Sequence, residues 1–249
     1  MKRVVFFGSI GLAKRCLEEI VMKEDVELLG VCCTQLTSTW REDESVYTFS
    51  KKNSIPILSF EEVEELSPDI GFSVRYDKII PQTTIDSFKQ GIFNTHGGIL
   101  PEYRGSYCNI NALINDEEEY GVTLHYISQG VDAGDVVAIK KVRVEESDTG
   151  FSLYKKSEQL CYEVLKENIN KIIDDENERI PQDVLIARGH KCGVYYAKST
   201  ISKKVIDINK IKDSLNVIRA FDSPFHEPAY TIVGDKRIYL RTSYDNNRN

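Results

Sequence analysis

The chain has 249 residues, 41% hydrophobic and 29% charged, enough to bury one sizeable core plus a small appendage. Its net charge of -7 argues against broad nucleic-acid binding, which relies on Lys and Arg neutralising phosphates, but leaves room for a local basic pocket around one small phosphorylated ligand. No stretch approaches the roughly 18 apolar residues of a membrane helix, and the run Val4 to Phe7 is too short and too soon interrupted for a signal peptide, so the expected setting is the cytoplasm, away from membranes.

Val4 to Phe7 reads as a buried strand, Gly8-Ser9-Ile10-Gly11 as a turn and Leu12 to Met22 as a helix with Leu12, Cys16, Ile20 and Val21 on one face. Val26 to Cys33 is the next strand, and this β-α-β opening predicts a parallel sheet. The turn lacks a full GxGxxG, so a tight strand-to-helix turn explains it as well as a dinucleotide site does. Thr34 to Ser54 reads as an irregular polar loop with at most one helical turn, and Ser59 to Glu62 as a capping box opening a helix that ends near Leu66. Asp69 to Val74 is a strand, Ile79 to Phe88 a turn and helix, and Gly91 to His96 a strand. Ser106 to Asn115 is helical, and Gly121 to Ile127 and Asp135 to Val144 are strands around the loop SQGVDAGD. Asp148-Thr149 caps a long helix from Gly150 to Ile173, with Phe151, Tyr154, Cys161, Leu165 and Ile169 as a core stripe. The polar run Asp174 to Arg179 marks a boundary. Residues 1–180 form a catalytic domain and 181–249 a small β-rich region built from VYYAK, VIDIN, AYTIV and RIYL. The six cysteines form no CxxC pair and no zinc spacing, and read as free thiols with no metal site.

One stretch asks for more than a loop: FNTHGGILPEYRG, Phe93 to Gly105. Residues two apart on a strand share a face, so Asn94 and His96 point the same way, with two glycines behind them. Asp132 sits in the second glycine-flanked loop, and the two loops are expected to converge at the carboxyl edge of the sheet, where open α/β sheets bind ligands. Each residue alone has a plainer reading: a hydrogen-bonded surface His, or a turn-forming Asp. Together they suit one chemistry. The carboxylate is expected to orient the imidazole and raise its pKa, and imidazolium and amide then donate to one developing oxyanion. No Ser or Cys partners His96 and no second His stands at ligand spacing. That leaves direct attack by an external nucleophile on a carbonyl.

Asn94 to Gly105, Gly121 to Tyr126 and Gly130 to Asp135 together resemble the signature of the folate-dependent formyltransferases. The start RVVFFGS is similar to their first strand, and Phe221 to Thr231 is similar to their C-terminal motif, with His226-Glu227 where Pro-Gly is common. The resemblance implies a Rossmann-like α/β fold with a mostly parallel sheet, and formyl transfer from N10-formyltetrahydrofolate to a primary amine. It implies that Asn94 binds the formyl oxygen, that protonated His96, oriented by Asp132, relays a proton to the leaving nitrogen, and that Asp132 helps deprotonate the amine. Folate would lie against Ser73, Val74, Arg75 and Tyr76 and against Ser128 and Gly130.

Three amines compete. Enzymes for glycinamide ribonucleotide are usually shorter than this chain, and those for initiator methionyl-tRNA are longer and more basic. Enzymes for nucleotide-linked amino sugars resemble it in size and in YRGSYCNINALIND. The last branch is favoured, with dTDP-4-amino-4,6-dideoxyglucose as the leading substrate and O-antigen-type polysaccharide as the destination. A GDP-linked or 3-amino sugar stays open, as does a binding module without catalysis. Tyr103 and Arg104 would border the amine, with a structural turn anchor as the other reading of Arg104. Lys78 would hold the diphosphate, Asn109 the nucleotide, and Tyr195 or Phe225 a base. The small C-terminal region is expected to pack on the main domain and to help form a homodimer.

Overall fold

The computed structural model describes residues 1–35, 44–199, 204–209 and 214–242. Its centre is a six-stranded sheet in the order β2-β1-β3-β4-β6-β7. Strands β1 (Lys2–Gly8), β2 (Val26–Cys32), β3 (Ile70–Val74) and β4 (Gly91–His96) pair in parallel. Strands β6 (Glu119–Tyr126) and β7 (Val136–Arg143) extend the sheet antiparallel to β4 and to each other, respectively. Such a sheet needs cover on both faces, and the central strands are accordingly almost continuously apolar.

Helices α1 (Gly11–Val21) and α6 (Gly150–Ile173) cover one face, packing Leu17, Ile20, Leu165 and Ile169 against Phe6, Phe72 and Leu124. Helices α3 (Phe60–Leu66) and α4 (Gln82–Asp86) cover the other, where Val63 and Phe88 meet Phe7 and Ile92. The sequence fixes several ends through local chemistry. Ser59 and Glu62 exchange the two hydrogen bonds of a capping box, and Thr149 and Ser152 do the same for α6. Along α6 the buried stripe is Leu153, Leu160, Val164, Ile169 and their neighbours. Phe151 and Tyr154, expected in that stripe, turn instead to Phe225, each edge-on to its ring.

Before residue 180, two elements exceed the sequence reading. Helix α2 (Val46–Lys52), capped by Ser45, lies in the stretch expected to be irregular, and β5 (Tyr103–Gly105) interrupts the loop after β4. The part of that loop expectation that falls on residues 36–43 lies outside the described residues. Helix α5 (Cys108–Ile114) follows.

Beyond residue 180 come α7 (Gln182–Ala187), β8 (Val194–Tyr196), α8 (Leu215–Ala220) and the hairpin β9 (Tyr230–Val233) with β10 (Lys236–Tyr239). The two helices were not expected, and VIDIN makes only an isolated bridge from Val205 to Tyr230. β8 pairs in parallel with β5. Ile206, Ile218, Phe221 and Ala229 share one apolar cluster with Tyr103, Ile110, Leu113 and Leu153, so this region packs on α5 and α6. No helix among the described residues is long and apolar enough to cross a membrane.

Candidate active site

Strand alternation puts Asn94 and His96 on one face of β4. The Ser73 hydroxyl, on neighbouring β3, donates to Asn94 Oδ1 at 2.9 Å. The antiparallel register sets His125 of β6 opposite Asn94. His125 Nδ1 lies 2.8 Å from the Tyr126 carbonyl, which can only accept, so Nδ1 carries the proton. Its Nε2 therefore accepts from Asn94 Nδ2 at 3.1 Å. This chain fixes the amide so that the second Nδ2 hydrogen remains to donate. His125 is 2% exposed, and burial, then repulsion from His96, hold its pKa well below the ordinary histidine value.

His96, 7% exposed, sits where the chain doubles back. Its Nε2 donates to the Tyr103 carbonyl at 2.7 Å. Gly98 makes that turn fit, because a Cβ there would lie 2.7 Å from the Tyr103 oxygen and 2.8 Å from His96 Nε2. What approaches these glycines is thus the protein itself. On the other side of the ring, Nδ1 is 3.5 Å from Asp132 Oδ1.

Asp132 arrives by an unexpected route. Because β6 is antiparallel to β4, the loop after β6 leaves beside Ile92, near the amino end of β4, rather than from the edge that carries His96. The loop folds back. Asp132 adopts a left-handed backbone at φ 50° and accepts the Gly105 N–H on Oδ2 at 2.8 Å. Its Oδ1 has no hydrogen-bond donor among the described residues and faces His96 Nδ1 and, at 3.7 Å, His125 Nε2.

The expected rise of the His96 pKa does not occur. Burial pulls it down more strongly than Asp132 and the Tyr103 carbonyl pull it up, and Arg75 adds to the fall. The resting ring is neutral near pH 7, with its proton on Nε2 and a basic Nδ1 beside a carboxylate. A proton reaching Nδ1 would find partners for both N–H groups.

A cavity of about 510 Å³ opens onto this group. Asn94, His96, Asp132, Arg75 and Tyr76 line one part of it, and Asn109, Tyr107, Tyr154, Lys198, Phe225 and His226 line the rest. Other expected residues lie elsewhere. Ser73 and Val74 are buried, Ser73 behind Asn94. Ser128 borders a separate cleft, and Gly130 is exposed in its loop. Lys78 and Tyr195 are exposed and off the cavity wall. The Tyr103 ring is buried, stacks on Tyr196 and donates its hydroxyl to Glu117, so its contribution is its carbonyl. Arg104 donates to Gln182 Oε1 at 2.6 Å and serves as an anchor, not a cavity wall. Asn109 is on the wall but donates to the Gly150 carbonyl.

Sequence reasoning passed over His125, Tyr107 and Lys198. His125 was visible as a polar residue in an apolar strand, but only the register reveals its partner. Tyr107 reaches the cavity from a left-handed position, φ 57°, before α5, a conformation unusual for so large a residue.

The profile of the family described as Formyl transferase matches residues 37–169. The chain is 30% identical to the methionyl-tRNA formyltransferase of Malacoplasma penetrans over 251 residues, covering 96% of this chain and 76% of that protein. In structure it is similar to an N-formyltransferase from Helicobacter canadensis, solved with folinic acid and dTDP-3-aminofucose, at TM-score 0.79 and 25% identity over 96% of this chain and 87% of that one. It also shares the fold of a 4-N formyltransferase from Francisella tularensis, at TM-score 0.76 and 20% identity over 97% of each chain. Together the match across 37–169 and the near full-length relative establish that this chain belongs to the formyl transferase family.

Proposed function

We propose that the protein moves the formyl group of N10-formyltetrahydrofolate onto the primary amine of a nucleotide-linked amino sugar. The observation that carries this reading is the lining of one cavity, in which the Asn94, His96 and Asp132 group shares the wall with aromatic rings and with the cations Arg75 and Lys198. Tyr76, packed edge-on to Phe60, gives the reactive end a flat wall suited to a pterin. Arg75 and Lys198 offer positive charge for a diphosphate, and Arg75 Nε is buried with no hydrogen-bond partner among the described residues. Tyr107, Tyr154 and Phe225 offer faces or edges for a base. The Helicobacter canadensis enzyme, solved with folinic acid and dTDP-3-aminofucose, supports a folate and a nucleotide sugar as the occupants of such a cavity.

In this reading the amine nitrogen bonds to the formyl carbon while Asn94 Nδ2–H holds the carbonyl oxygen as it becomes an oxyanion. The proton leaving the amine goes to the His96–Asp132 pair, whose Oδ1 and Nδ1 are both open to accept it. Once charged, His96 keeps its Nε2–H on the Tyr103 carbonyl and passes the proton gained at Nδ1, steadied by Asp132, to the departing folate nitrogen as its bond to the formyl carbon breaks. Residues 1–180 carry this chemistry, and 181–249 complete the far wall of the cavity.

The first substrate to try is dTDP-4-amino-4,6-dideoxyglucose. The test incubates the protein with N10-formyltetrahydrofolate and, separately, dTDP-, GDP- and UDP-linked 3- and 4-amino sugars, reading the formyl gain by mass spectrometry. One sugar gaining a formyl group supports the reading and fixes nucleotide and position. No gain on any sugar overturns it. The 30% identity to a methionyl-tRNA enzyme favours charged initiator tRNA as the second reading, against which the net charge of -7 counts.

We also assign a homodimer contact to the C-terminal hairpin, on the face where Ile232 is 57% exposed with Tyr239 exposed beside it. Sedimentation velocity should give a dimer for the native chain and a monomer for Ile232→Lys. A native monomer at working concentration would refute the contact.

A further inference from the structure

We propose that Gln182, oriented by Arg104, is a positioning residue that sets the separation between His96 and Asp132. The loop carrying Asp132 leaves the wrong end of the sheet and must be held after it folds back. Its key residue is also left-handed, a conformation that Asp tolerates but does not seek. Contacts from outside the loop hold it in that conformation.

Besides the two histidines that face Asp132 Oδ1, two hydrogen-bonding groups from other elements reach residues 132–134 among the described residues. One is the Gly105 N–H on Asp132 Oδ2. The other is the Gln182 amide, whose Nε2 donates to the Asp132 carbonyl at 2.9 Å and to the Gly134 carbonyl at 2.8 Å. The Gln182 Oε1 in turn accepts from Arg104 Nη2 at 2.6 Å. Gln182 is 7% exposed, so these partners replace water. Its two N–H donors and its oxygen are all engaged, and only this amide orientation satisfies all three contacts. A Glu would turn an oxygen against two carbonyls, and a Leu would leave both carbonyls and the Arg104 donor without a partner.

The anchors converge on β5. Tyr103 holds His96 through its carbonyl, Gly105 holds the Asp132 side chain, and Arg104, between them, holds Gln182 and thereby the Asp132 main chain. Three consecutive residues thus reference both members of the pair to one short strand. The reference matters because the pair stands 3.5 Å apart, just beyond a direct N–H···O bond. A few tenths of an ångström decide whether the two groups share a proton. Gln182 opens α7, so a residue beyond position 180 tunes a pair that lies entirely before it.

The kinetic half of the test rests on the formyl-transfer reading; the spectroscopic half does not. Gln182→Leu, Gln182→Glu and Arg104→Met are prepared as full chains. The histidines are titrated by 15N NMR, with His96 assigned from the spectrum of His96→Asn. The groups that face His96 are Asp132, His125, Arg75 and Cys108, and none of them is changed by these variants. In Gln182→Leu the His96 nitrogen shifts and titration midpoint should move, and the pH profile of kcat with them. With kcat down about 10- to 100-fold and both KM values within about 2-fold, the loss is one of geometry at the reacting centre. Gln182→Glu should fail similarly. If Gln182→Leu does not fold, Arg104→Met decides, since it leaves the amide in place and removes only its orienting donor.

A folded Gln182→Leu with the His96 titration and pH profile of the native protein would overturn the proposal. So would a rise in KM with kcat intact, which would make Gln182 part of substrate binding. If the native protein formylates no amine, the titration alone still decides the brace, and the failure belongs to the functional reading.

Discussion

At the β4 end of the cavity, Asn94, His96 and Asp132 are each held by two or more polar contacts, several of them to backbone. The rest of the wall carries rings meeting edge to face, Tyr107 with His226 and Phe225 with Tyr154, together with the exposed cation Lys198. The first end has little freedom to accept a different reaction. The second offers ring faces and edges, which a change of residue can reshape. On the proposed function, the division separates formyl chemistry, carried by Asn94, His96 and Asp132 with Gln182 bracing the pair, from choice of amine, carried by the cavity wall of α5, the start of α6 and the chain beyond 195.

The sharpest way to break that division is at His96. His96→Asn should lower turnover by about 10²- to 10⁴-fold, the range for losing a general acid–base group, while leaving dTDP affinity by calorimetry nearly unchanged. A comparable loss of affinity would mean that the two ends are one site. A smaller effect is expected at the far end. Phe225→Ala should raise KM for the sugar nucleotide about 10-fold with kcat within about 2-fold, because a wall contact serves ground state and transition state alike. A fall in kcat at constant KM would place Phe225 with the chemistry instead.

The smallest effect concerns stability. His96 and His125 both have folded pKa values below the unfolded value near 6.5. Below about pH 6.5 the unfolded chain therefore binds protons that the folded chain refuses, and stability falls as pH drops. His125→Gln, which keeps an acceptor for Asn94, should show a shallower loss of Tm between about pH 7 and pH 5 than the native protein. A slope equal to the native one would mean that His125 is not held neutral in the fold.

Much of the first end was legible in the sequence, because its signals are local. The capping box at Ser59, the cap at Thr149, the alternation that pairs Asn94 with His96, and the glycines around the turn each rest on a few neighbouring residues. What escaped depends on pairing and depth. The direction of β6 reverses the exit of the Asp132 loop, and no periodicity encodes it. The burial of His96 reverses the sign of its pKa shift. Tyr103 and Arg104 read as substrate contacts because they are polar beside a motif, yet their roles lie in a carbonyl and in a brace to Gln182, 78 residues away. Helix α2 carries too few apolar residues to show a stripe, and β5 is too short to show alternation.

The most direct test of the central claim is a competition in one vessel. The protein, N10-formyltetrahydrofolate, charged initiator methionyl-tRNA and dTDP-4-amino-4,6-dideoxyglucose are mixed at equal acceptor concentration, and both acceptors are assayed for formyl over time. The account predicts formyl on the sugar amine and none on methionine. Formyl on methionine, with the sugar untouched, would contradict it.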